Sequence, residues 1–281
     1  MVSTLPLQGK IVLIPGASRS IGRHIARKFA DQGATLLLPW LDWPESVEEM
    51  VAEFAQKEIP FYECRCDLRN LDEVRDFSNQ IRKRFGIVHY LINNIERGGM
   101  PVVHGTYDHE HNREQWDLEF ATTLKAKWNL YHSFSPLLQK AGAGCVINIS
   151  SIAAHTGRSG PAACFFNDGY SAANKGIRTL TETWARESAP AIRVNEIMLG
   201  LVRSRHGENT RGWSILTGQQ KEDLYARILL KRTASEQEVA DLTYFLAVDA
   251  TYVTGQVVQM DGGYLLGGDE VPPMPSGILE E

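Results

Sequence analysis

Lys10-Ile11-Val12-Leu13-Ile14-Pro15-Gly16-Ala17-Ser18-Arg19-Ser20-Ile21-Gly22 is the stretch that decides the fold. An apolar run of strand length gives way to a glycine-bearing turn and then to a helical pattern over 21–32. The same succession recurs along the chain. Strand-like runs at 35–38, 61–66, 88–93, 145–150, 192–197 and 256–260 are separated by helical patterns at 45–56, 71–85, 113–140, 169–188 and 236–246. Asn70 and Ser235 stand as helix-capping types before two of these. Alternation of this kind predicts an α/β domain built on a doubly wound parallel sheet of about seven strands.

The chain has 281 residues, and the alternation spans it without a break, so one domain over 1–264 is expected, followed by a Gly/Pro-rich tail over 265–281. The hydrophobic share of 43% supplies a large core, and a formal charge of −5 offers no basic field for nucleic acid. No apolar run approaches the ~20 residues that span a bilayer, and residues 1–8 lack the regions of a secretory signal. A cytoplasmic protein is expected, with no nucleic-acid or membrane partner. Of the four cysteines, Cys66 and Cys145 fall in or beside strand-like runs, where reduced packed thiols are the ordinary outcome. Cys64-Arg65-Cys66 lacks the second ligand pair of a zinc site, and His104, His109 and His111 lie in a polar segment without helical spacing, so no metal is expected.

Four segments in fixed order carry a family likeness: the glycine turn Gly16 to Gly22; Asn93-Asn94 at the end of the fourth strand-like run; Val146-Ile147-Asn148-Ile149-Ser150-Ser151 ahead of Tyr170; and Gly255 to Gly263 at the close. With them the chain resembles the short-chain dehydrogenase/reductase superfamily over most of its length. That resemblance implies a Rossmann-like fold, an NAD(P) cofactor, and a Ser-Tyr-Lys-Asn set acting on an alcohol or ketone. In the family, Ser and Tyr hold the substrate oxygen, and Tyr transfers the proton. Lys lowers the Tyr pKa and holds the nicotinamide ribose, while Asn supports a proton-relay water.

At the cofactor end the resemblance points to Gly16, Arg19, Ser20, Ile21, Gly22, Asp67 and Asn93. Glycines there let a helix N-terminus approach a pyrophosphate. Several neighbours depart from the family text: Ser20 replaces the middle glycine, Pro15 the usual Thr, and Trp40 the acid that takes the ribose. Trp40 with Pro39, Leu41, Trp43 and Pro44 is expected to fill the adenosine pocket with apolar bulk, with Asp42 as a substitute for the lost carboxylate and Arg19 suited to NADP. Ile95-Glu96 replaces Ala-Gly where the cofactor passes, adding three carbons and an anion. The seven matching residues are therefore expected as remnants, with no cofactor bound to this chain.

At the catalytic end Ser151 and Tyr170 match. The Tyr-to-Lys spacing does not: Lys175 lies five residues after Tyr170, about 100° further round a helix than the usual four. Leu180 and Thr181 keep the family's distance from position 174, so Asn174 stands in the lysine slot. Counting from Trp116-Asp117, Thr123 stands in the Asn slot. Leu199-Gly200 replaces Pro-Gly, and Ser204 stands where a Thr would meet the carboxamide. A π-bulge in the helix is the one route that returns Lys175 to the catalytic face. Eighteen residues separate Ser151 from Tyr170, against about a dozen in the family. A lid is expected over about 201–230, where Arg203, Arg205, Arg211 and Trp213 are candidate grips for an anionic or aromatic ligand.

This distribution, scaffold kept and chemistry altered, points to a non-catalytic subunit beside an active homologous chain. The expected assembly is a hetero-oligomeric alcohol dehydrogenase, a heterotetramer. Its helices at 113–140 and 169–188 are expected to offer Trp128, Tyr131, Phe134, Leu180 and Trp184 to the partner, though packing inside one chain accounts for some of these residues equally well. The nearest resemblance of this type implies an aromatic hydroxyacyl-coenzyme A substrate for the complex, in anaerobic toluene degradation. Two alternatives stand: an active NAD(P)-dependent alcohol or ketone oxidoreductase with a displaced lysine, and a ligand sensor on the same scaffold.

Overall fold

The computed structural model describes residues 5–96, 110–204, 213, 216–267 and 271. Seven strands, β1 (Ile11–Leu13), β2 (Thr35–Trp40), β3 (Phe61–Arg65), β4 (Tyr90–Asn93), β5 (Gly144–Ser151), β6 (Ile192–Leu199) and β7 (Val257–Met260), form one parallel sheet. Their order is β3-β2-β1-β4-β5-β6-β7. The order reverses between β1 and β4, and a crevice opens there at the strands' carboxyl ends. The longest pairing, Gly144↔Ile192 through Ser151↔Leu199, carries Ser151 to that end of the sheet.

β1, β2 and β4 read as largely apolar, buried runs because both of their faces are covered. Val12, Ile14, Leu36 and Leu38 pack toward α1 (Ser20–Asp31) and α2 (Pro44–Gln56), with Ile25, Phe29, Met50 and Phe54 facing them. Ile11, Leu13 and Leu37 point the other way. They meet α3 (Leu71–Arg84), whose Asn70 cap accepts from the Asp72 amide and whose acidic first turn and basic last turn suit its dipole.

The pattern over 113–140 predicts one helix; the structure divides it into α4 (Glu110–Glu119), a π turn (Phe120–Lys125) and α5 (Ala126–Gln139). The wide turn accommodates an extra residue and rotates everything after it. Lys127, which a straight helix would place elsewhere, becomes fully buried.

After β5 come the short α6 (Ala153–Thr156) and a 3-10 turn (Pro161–Phe165), then α7 (Asp168–Ser188), which Asn167 caps by accepting from the Tyr170 amide at 2.6 Å. In the lid region α8 (Gly218–Arg227) starts with a Thr217/Gln220 capping box, and α9 (Glu236–Tyr244) with a Ser235/Glu238 one. Arg205, Arg211 and nearly all of the 265–281 tail lie outside the described residues.

Three residues expected at a subunit interface belong instead to the core: Tyr131, Phe134 and Trp184 are buried between α3, α5 and α7. Their apolar surface meets the sheet of the same chain, which the helical pattern could not distinguish from a partner. Trp128 (41% exposed) and Trp116 (38% exposed) remain on the surface.

Candidate active site and nucleotide cleft

A cleft of about 410 Å³ lies over the carboxyl ends of β1, β2 and β4. Its floor is the glycine turn. Gly16 has φ 71°, and a Cβ there would sit 2.4 Å from the Asn94 carbonyl oxygen; one on Gly22 would sit 2.1 Å from the Gly16 oxygen. Only glycine permits this packing, and it brings the first turn of α1 against the crevice. Ser20, in place of the middle glycine, also adopts a left-handed φ of 46°, and its hydroxyl donates to Glu236 at 3.3 Å. Buried Arg23 anchors the turn by donating to the Ala17, Ser18 and Ser46 carbonyls and to Glu53.

Gly16, Arg19, Ser20, Ile21, Gly22 and Asp67 all line the cleft. Asn93 does not. Its side chain is buried in the sheet and donates to Asn148 at 2.8 Å, while Asn94 takes the place at the crevice. The pleat decides this, because successive strand residues face opposite ways. Nor do the tryptophans fill the adenosine end. The Trp40 indole N–H donates to Glu63 on neighbouring β3, Trp43 lies beneath the Arg19 guanidinium at 3.6 Å, and the cleft stays open beside both. The Asp67 carboxylate accepts a two-pronged bond from Arg69 at 2.8 and 2.6 Å, which holds it below the usual carboxylate range.

The expected catalytic residues lie beyond the cleft's other end. Among the described residues the lining includes Ile95 and Glu96 but neither Ser151, Tyr170 nor Asn174. Glu96 spans the gap: the Tyr170 hydroxyl donates to its two carboxylate oxygens, each at 3.2 Å. On the opposite side Phe166 stacks on Tyr170 at 5.8 Å, and Phe165, Leu216, Leu224 and Tyr264 close an apolar cluster around it. Phe165 and Phe166, between Ser151 and Tyr170, thus cluster with Leu216, Leu224 and Ile228. Burial, then the Glu96 charge, push the Tyr170 phenol well above 10; the Ser151 hydroxyl opposes the shift, and buried Glu119 adds to it.

Helix α7 is a regular α-helix through position 174, and the π turn lies in the other helix. Lys175 is exposed. Asn174 is fully buried in the lysine slot; its Nδ2 donates to the Tyr170 carbonyl at 3.0 Å, and its Oδ1 has no partner among the described residues. Thr123, in the Asn slot, donates to Glu119 at 3.3 Å.

Sequence reasoning missed Lys127. Its Nζ donates to the Ile95 carbonyl and, at 3.0 Å, to that of Thr123, clamping the segment that carries Glu96. The missing signal was the π turn, which no residue type announces. Burial holds this ammonium down from 10.5 to about 8, against the pull of Glu96 and Glu196. Between those two values the unfolded chain binds a proton that the folded chain has released, so stability rises with pH across that window. Wild type is expected to gain about 1 kcal/mol between pH 8 and 9 relative to Lys127→Met. Urea titrations of both proteins at the two pH values measure it, and parallel pH dependences would refute it.

Among the described residues no group of three or more His, Cys, Asp or Glu is placed to hold a metal, and no helix is long and apolar enough to cross a membrane. Burial pushes the Cys64 and Cys66 thiols up to about 12, which keeps both protonated at neutral pH.

Residues 16–265 match a family model described as Enoyl-(Acyl carrier protein) reductase. The chain is 30% identical over 258 residues to the 3-oxoacyl-(acyl-carrier-protein) reductase FabG of Staphylococcus epidermidis, covering 90% of this chain and 98% of that one. Two solved structures share the fold. A short-chain type dehydrogenase/reductase from Mycobacterium ulcerans has TM-score 0.78 and 22% identity, covering 93% of this chain and 91% of that one. A 7 alpha-hydroxysteroid dehydrogenase complexed with NADH and 7-oxo glycochenodeoxycholic acid has TM-score 0.77 and 23% identity, covering 94% and 98%.

Proposed function

Because this chain belongs to the short-chain dehydrogenase/reductase superfamily, and because its Tyr170 is bonded to a carboxylate instead of facing an ammonium, we propose that it is a non-catalytic member of that superfamily. It serves as a subunit beside an active homologous chain in a cytoplasmic, hetero-oligomeric alcohol dehydrogenase. The Tyr170–Glu96 contact carries the reading. A phenol serves as a base near neutral pH only when a nearby cation stabilises its phenolate. Here the neighbouring charges are Glu96 and Glu119, and both oppose ionisation.

Selection on such a chain acts through its surface and its fold. Exposed Trp116 and Trp128 on α4 and α5 offer aromatic anchors to a partner. The complex is proposed to act on an aromatic hydroxyacyl-coenzyme A of anaerobic toluene degradation; only the resemblance of the altered motifs supports that substrate.

One observation favours the second reading, an active NAD(P)-dependent alcohol or ketone oxidoreductase: the glycine turn and the cleft above it are open. Native mass spectrometry of the assembly from its source cells separates the two. A second, homologous chain in equal amount is expected, together with no hydride transfer by the isolated chain. A homo-oligomer that oxidises NADH by itself overturns the subunit reading.

A further inference from the structure

A dinucleotide fits one end of the cleft and not the other. At the phosphate end the fit is good: Gly16 and Gly22 leave no room for a side chain, and the first turn of α1 has no side-chain cap on its amides. Next to it Trp40, Trp43, Asp42, Arg19 and Arg69 line a space with aromatic faces and polar edges, suited to a base and its ribose.

The nicotinamide end does not fit. A hydride-accepting ring has to reach the carbon whose oxygen Tyr170 would hold. The Glu96 carboxylate occupies that approach, lining the cleft on one side and accepting from the Tyr170 hydroxyl on the other. Lys127 fixes the backbone just before Glu96 through the Ile95 carbonyl, and the Tyr170 hydroxyl holds the carboxylate itself. An amide-bearing ring placed here would displace the charged hydrogen bond between Glu96 and Tyr170, and losing a charge-assisted hydrogen bond costs affinity.

We propose that the cleft takes a nucleoside diphosphate and refuses the nicotinamide nucleoside half of a dinucleotide, with Glu96 as the refusing group. The proposal deepens the non-catalytic reading and rests on it, but its readout is binding, whereas that reading stands or falls on turnover and subunit composition.

Calorimetry on the full chain with ADP and with NADH tests it, using wild type, Glu96→Gly and Glu96→Gln. Wild type is expected to bind ADP at least as tightly as NADH. Glu96→Gly is expected to tighten NADH binding tenfold or more while changing ADP less than twofold; Glu96→Gln, which keeps the bulk and removes the charge, should fall between. Three results overturn the proposal: no ADP binding by wild type, NADH bound tenfold tighter than ADP by wild type, or a Glu96→Gly variant whose two affinities move together or not at all. Circular dichroism verifies folding, and should Glu96→Gly not fold, the ADP/NADH ratio in Glu96→Gln decides.

Discussion

The Tyr170 phenol is expected to remain protonated throughout the range up to pH 10 in wild type, and to titrate at distinctly lower pH in the double variant Asn174→Lys/Glu96→Gly. Its present position follows from burial and from the Glu96 carboxylate 3.2 Å away. At an effective dielectric near 20, a unit charge at that distance is worth roughly 5 kcal/mol against the phenolate. An ammonium 4 to 5 Å away would contribute about 3 to 4 kcal/mol in the other direction. Both changes favour the phenolate, so they lower its titration in the same direction. Carbon-13 labelling of the tyrosine Cζ positions, with Tyr170→Phe to assign the resonance, follows the titration directly. A wild-type phenol that ionises below pH 10, or a double variant whose resonance does not move, contradicts the account of the site given above.

Replacing Trp184 by alanine is expected to lower stability by about 3–5 kcal/mol, a large part of the ~5–15 kcal/mol of an ordinary domain. Trp184 is 1% exposed and stacks on Tyr131 with centroids 4.1 Å apart and planes 10° apart. The seam is fastened by a 2.5 Å bond between the Tyr131 and Ser188 hydroxyls and by the Ser188 donation to the Trp184 carbonyl. Removing the indole opens a void between α5 and α7 and leaves the Tyr131 face without its partner. Urea unfolding reads the loss as a lower midpoint at unchanged slope and independent of protein concentration. Trp128→Ala supplies the contrast. Its ring is 41% exposed, so monomer stability should stay within about 0.5 kcal/mol while any assembly through α4 and α5 loosens. If Trp184→Ala costs less than Trp128→Ala, the division between core and surface drawn here is wrong.

The parallel sheet was legible in the sequence because its causes are local. Ile11–Leu13 is apolar on both faces and Cys145–Ile147 nearly so, and a strand of that kind has to be covered on both sides. Gly16 and Gly22 marked the crevice for the same reason: their backbones pass so close to Asn94 and to each other that no side chain fits. The placement of Lys175 was also legible, since five residues on a regular helix cannot return it to the face of Tyr170, and α7 is regular.

What replaced the lysine was decided only in three dimensions. Glu96 reads in sequence as an anion beside a cofactor, yet its carboxylate is bonded to a hydroxyl 74 residues further along the chain. Lys127 reads as one more charge on a helix and becomes a buried clamp, because the π turn before it alters the helical phase. Tyr131 and Trp184 read as interface and face each other inside one chain. The physical reason is common to all of them: periodicity and steric exclusion act between near neighbours and are written in the order of residues, whereas the pairing of a buried charge depends on which distant groups the packed helices bring within a few ångströms of it.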